Sequence, residues 1–135
     1  MAMNENQIID GLPFFDNGNV GRGVVFNFRT WVTIIQAIMV EYGGLNEDEA
    51  KSILFASSLV EDALGGYMDV TLRAHELDYH WAMLLSHGEQ YWRRGIDSAP
   101  PEGFWAWEKQ YKKEHKLEDR SFVFFRNPDG EKLPR

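Results

Sequence analysis

The sequence predicts a mainly α-helical fold: a compact bundle of about four helices with a minor two-stranded β-ribbon formed by N- and C-terminal segments. Three observations predict it. Apolar residues recur at helical spacing through the middle of the chain, glycine pairs and prolines interrupt that periodicity, and short β-branched or aromatic runs lie toward the two ends. The 135 residues, 44% hydrophobic and 26% charged, fit one folded domain, 1–135, able to bury about two thirds of its unfolded surface.

Residues 1–22 read as an irregular segment, because "FFDNGNVGRG" is dense in Gly, Asn and Asp. "GVVFNF" then supplies a short strand at Val24 to Phe28. From Phe28 to Tyr42 the residues Trp31, Ile34, Ile35, Ile38 and Met39 repeat at helical spacing, and Gly43-Gly44 ends that helix. In "LNEDEA", Asn46 is an N-cap with Glu49 three residues on, and Leu45 with Ala50 forms a staple. The second helix started there is expected to turn Ile53, Leu54, Val60 and Leu64 inward and to close at Gly65-Gly66.

A third helix is expected from about Tyr67 to Ser86, packed on two sides: Val70, Ala74, Leu77, Trp81 and Leu85 on one, Met68, Leu72, Tyr79 and Met83 on the other. "RRGIDSAPPEG" breaks the chain, and a fourth helix, roughly Glu102 to Lys116, gathers Phe104, Trp107, Tyr111 and His115 on one face. "SFVFFR" is a strand expected to pair with Val24 to Phe28, "NPDG" is a turn, and 127–135 is a tail.

Composition narrows the chemistry. The absence of cysteine excludes disulfides, thiolate metal sites and a cysteine nucleophile. A net charge of −7 opposes long-range attraction to nucleic acid and anionic membrane and favours a basic or neutral partner surface. No apolar run reaches membrane-spanning length and "MAMNENQIIDGLPFFDNG" has no basic leader, so a cytoplasmic location is expected.

The densest set of chemistry-bearing residues is "HELDYHWAMLLSH", His75 to His87, with three of the four histidines. On one continuous helix Asp69, Arg73, Glu76, His80 and His87 would project within roughly 60° of each other. Glu76, His80 and His87, joined by Asp62 or Glu61 from the second helix, would then supply ligands for one divalent metal in a helical-bundle enzyme of hydrolase type. The rival reading is a polar helix edge with ordinary Asp69–Arg73 and Arg73–Glu76 ion pairs. The segment lacks the H-E-x-x-H spacing of zinc peptidases and the Glu-x-x-His of di-iron bundles, which favours the rival.

"GNVGRG" lacks the Lys-Ser/Thr ending of a phosphate loop, and the basic-aromatic runs "YWRRG" and "KQYKKEHK" are short, so nucleotide and nucleic-acid binding rank below protein binding. No complete catalytic set is present. The function expected is therefore that of a small acidic protein-binding module of inhibitor, immunity or phage/accessory adaptor type, without catalysis or cofactor, with homodimerisation as a further possibility. Glu61 and Asp62, set against the dipole near the end of the second helix, would steer a basic partner, and Trp92 and Trp105 would anchor it. Trp105 is the sharpest candidate, because it stands off the Phe104, Trp107 and Tyr111 face.

Overall fold

The protein is described by a computed structural model covering residues 5–16 and 18–126. A 3-10 turn at Glu5–Gln7 leads into strand β1 (Leu12–Asp16) and strand β2 (Asn19–Phe26), followed by helix α1 (Phe28–Glu41). Helices α2 (Glu47–Ala56), α3 (Ser58–Glu61), α4 (Tyr67–Ala74) and α5 (Asp78–His87) come next. A 3-10 turn at Tyr91–Arg94, helix α6 (Phe104–Glu114) and strand β3 (Phe122–Arg126) complete it.

The sheet overturns the expected helical bundle with a two-stranded ribbon: it is three-stranded and antiparallel, in the order β1-β2-β3, and the fold is mixed α and β. β3 does pair with the Val24 region, Val24 opposite Phe124 and Phe26 opposite Phe122. The unexpected strand is β1, which runs through a segment read as loop. Asp16 holds the turn between β1 and β2, accepting from the Gly18 amide at 3.0 Å and from Arg22 Nε at 3.0 Å. Gly23 belongs to the strand because a Cβ there would lie 2.7 Å from Cζ of Phe125 and would also strike the Phe14 carbonyl, so the ring packs directly on backbone. The "NPDG" turn and the 127–135 tail lie outside the described residues.

α1 is the hub of the core. Trp31, Ile34, Ile35, Ile38 and Met39 are fully buried, and Phe26, Phe28, Trp31 and Phe122 form one aromatic cluster in which Phe26 and Phe122 stack at 4.8 Å. Each such side chain contributes about 2–3 kcal/mol through the apolar area it removes from water. Both termini of the sheet are tied to the start of this helix. Asn27 Oδ1 accepts from the Gly11 amide at 2.9 Å, and Asn27 Nδ2 donates to the Arg120 carbonyl at 2.8 Å.

α1 ends as expected at the glycine pair, with Gly44 at φ +78, and α2 begins with the capping box of Asn46 and Glu49. The long second helix, however, stops at Ser57, whose hydroxyl donates to the Leu54 carbonyl at 2.6 Å, and a separate α3 follows. Gly66, expected to close the second helix, instead starts α4 with φ +152 and ψ −178.

The expected third helix is also two helices. Leu77 adopts φ −66 and ψ 148, so His75, Glu76 and Leu77 form a corner between α4 and α5. The corner is stabilised because its orphaned carbonyls find side chains: Trp81 Nε1 donates to the Arg73 carbonyl at 3.0 Å and His75 Nδ1 lies 2.7 Å from the Thr71 carbonyl. Breaking the helix interrupts both predicted apolar stripes: Val70, Tyr79 and Met83 stay buried and Trp81 and Leu85 pack against the core, but Leu77 is exposed. Met68 and Leu72 are 75% and 63% exposed instead of packed.

Arg73 is the largest departure from surface chemistry. It is buried and, instead of the expected ion pairs along one helix, donates to the carbonyls of Leu59 at 2.7 Å, Ser58 at 3.2 Å and Asp69 at 2.9 Å. One guanidinium thereby joins α3 to α4.

Candidate functional site

The helix break places the sequence-predicted metal ligands on three different elements, Asp62 at the end of α3, Glu76 in the corner and His80 and His87 on α5. Among the described residues no group of three or more His, Asp or Glu side chains could hold a metal ion. His80 is instead part of an aromatic cluster, its Nδ1 2.9 Å from the Tyr91 hydroxyl and its ring tilted against Trp81, Tyr91 and Trp92.

Asp62 already has a cation within the chain. Burial lowers the pKa of Arg73, against the charges of Asp69 and, to a smaller extent, of Asp62 at the end of α3. Trp92 is 46% exposed in the 3-10 turn, and Trp105 is 56% exposed at the start of α6, edge-on to Phe104 at 5.0 Å. Of the four predicted partner-binding residues only Trp105 lines the cleft described next; Glu61 and Asp62 lie elsewhere, and Trp92 borders a separate hollow with Ile96 and Asp97.

That cleft, about 290 Å³, opens between the corner before α5, the first turns of α6 and the inner side of β3. The helix break creates it by bringing Asp78 to the first position of α5, facing Glu108 and Lys112 of α6. Trp105, Phe122 and Phe124 give it an aromatic wall. Lys112 spans it, with Nζ 3.8 Å from Glu108 Oε1 and donating to the Asp119 carbonyl at 3.1 Å.

The electrostatics are unusual for a surface hollow. Asp78 keeps some solvent access, yet its carboxyl is crowded by protein; desolvation, reinforced by the Glu108 charge, raises its pKa to about 7. Lys112 and the indole N–H of Trp31 oppose the rise. Burial also pushes Glu108 up, again against Lys112. Two further polar atoms lack full partners: the Trp31 Nε1, turned toward Asp78 without reaching hydrogen-bond geometry, and the hydroxyl of Ser121, a residue that lines the cleft. Buried groups left so are uncommon and concentrate at sites of function.

The site residues that sequence reasoning missed are Asp78, Glu108 and Ser121. Asp78 lies inside "HELDYHWAMLLSH", but only the break at Leu77 turns it toward α6, and no sequence signal fixes that break. Glu108 sits on an otherwise lysine-rich helix, where a solvated acid is the ordinary reading.

β3 borders the cleft and is an edge strand, with no helix laid along it among the described residues. Strand alternation sends Phe122 and Phe124 inward and Val123 and Phe125 outward. The outward rows Pro13·Val25·Val123 and Phe15·Gly23·Phe125 contain no polar side chain. Comparisons with protein-family models, with curated proteins and with solved structures found no match to this chain.

Proposed function

We propose that this chain is a protein-binding module without catalysis, of inhibitor, immunity or adaptor type, whose partner adds an extended segment to the open edge of β3. One observation carries this reading. β3 is an edge strand that exposes apolar groups on both faces, with Val123 41% and Phe124 51% accessible, whereas edges are ordinarily blunted by charge, proline or cover. Strand addition satisfies such an edge through main-chain hydrogen bonds and places alternate side chains on the two faces.

Trp105 and Leu77, 56% and 47% exposed beside the strand, supply further apolar contact. The chain's charge of −7 favours a partner with a basic or neutral rim, at the level of encounter rate more than affinity. No helix of the described residues is long and apolar enough to cross a membrane, and the lack of cysteine suits the reducing cytoplasm, where this reading sets its action.

The test is hydrogen exchange on the purified protein alone and with a purified partner, obtained by capture on the wild type and absent from Val123→Lys. The amides of β3 should slow on binding, and Val123→Lys and Trp105→Ala should each weaken the complex by about tenfold or more. Unchanged β3 protection in a stable complex would overturn the edge reading. A wild-type dimer in light scattering that Val123→Lys dissolves would show that a second copy takes the edge, which would overturn the foreign partner.

A further inference from the structure

We infer that the partner segment turns an arginine inward from the β3 edge, so that its guanidinium enters the cleft beneath Trp105 and meets the carboxylates of Asp78 and Glu108. This rests on the strand-addition reading and adds to it the chemistry of the residue read. The sheet register leads there. The inward rows Phe26·Phe122 and Val24·Phe124 continue across the edge, so an inward side chain on an added strand lies next to Phe122 and Phe124, both of which line the cleft.

Inside, the charge is incomplete. Among the described residues three carboxylates, Glu76, Asp78 and Glu108, share the cleft lining with two cations, Lys112 and Arg120, and Lys112 divides its donors between Glu108 and the Asp119 carbonyl. A guanidinium supplies the missing positive charge and several donors in one plane. It also suits the exposed face of Trp105 better than an ammonium does. A cleft of about 290 Å³ takes one long side chain and little more.

The groups that titrate around Asp78 are Glu108 and Lys112 from α6, Tyr79 beside it, Glu76 from the corner and Arg120 before β3. Burial among them is what makes the charged form of Asp78 costly in the free protein, and a guanidinium at that place relieves the cost.

The experiment uses the whole protein, a short blocked peptide with arginine between two valines, the same peptide with neutral citrulline, and ethylguanidinium as the free cation. Indole N–H resonances of Trp105 and Trp31 report the cleft, and β3 amide resonances report the edge. The arginine peptide should bind about tenfold tighter than the citrulline peptide, and Glu108→Gln or Asp78→Asn should each reduce that ratio toward one. Equal binding of the two peptides at β3 overturns the arginine and leaves strand addition standing. Ethylguanidinium moving the Trp105 signal while neither peptide shifts β3 would overturn the partner segment as its source, and strand addition with it. Silence from all three probes overturns the cleft as a cation site. Glu108→Gln, within α6 and isosteric with the native side chain, keeps the test informative if Asp78→Asn perturbs the start of α5.

Discussion

Asp10 caps helix α1 from outside it: its carboxylate accepts from the Thr30 amide at 2.8 Å and from the Thr30 hydroxyl at 2.9 Å, across 20 residues of sequence. The formal N-cap, Asn27, makes no capping bond of its own because its side chain is committed to Gly11 and Arg120. Asp10→Ala should therefore cost about 1–2 kcal/mol, the loss of a helix cap together with a charge-assisted bond, read as a lower urea midpoint at unchanged slope.

Gly23→Ala should cost about 2 kcal/mol or more, because the added methyl meets the Phe14 carbonyl, which is fixed in the sheet, as well as the tip of the Phe125 ring. In a double-mutant cycle Phe125→Ala should recover part of that loss, since it removes the ring but leaves the carbonyl. Strict additivity of the two would place the clash elsewhere.

Titration of Asp78 links stability to pH. Below its ordinary value near 3.8 both folded and unfolded chains hold the proton; between there and about 7 the unfolded chain releases it first. Stability should thus fall as pH rises across that window and level off above it. Asp78→Asn should flatten the profile and stabilise the protein by about 2 kcal/mol at pH 8, a figure held down by the water the cleft admits. The raised pKa of Glu108 leaves a smaller slope of the same sign in the variant. Urea unfolding at several pH values checks both.

The two tryptophans Trp31 and Trp105 should separate cleanly. Trp105→Ala should change stability by under about 1 kcal/mol, whereas Trp31→Ala, fully buried in the aromatic cluster, should cost about 3–5 kcal/mol. Acrylamide quenching should lose an accessible component only in the first.

Where local chemistry decides, the sequence was legible. The period of α1, the capping box at Asn46 and Glu49, the aromatic face of α6 and the pairing of β3 with Val24 and Phe26 were all readable, and so was the exposure of Trp105. What failed was decided by contacts distant in sequence. Gly21, Gly23 and Asp16 look like loop residues until Phe125, about a hundred positions on, is known to pack against glycine. The periodicity from Tyr67 to Ser86 survives the break at Leu77, since the corner's carbonyls are satisfied by Trp81 and His75, which a helix would also accommodate. The cleft depends on that corner, so Asp78 and Glu108 could not be paired from their spacing alone.

The Phe26–Phe122 stack has a consequence for how the protein is made. As the chain leaves a ribosome the hairpin of β1 and β2 and the hub helix are available early, but the outer side of Phe26 and Trp31 stays wet until Phe122 has emerged. Nascent molecules carry this sticky aromatic face until the third strand emerges, and meanwhile a holding chaperone would find them and crowded neighbours would compete for the same rings. Completion of the third strand is thus a checkpoint on the quality of each copy.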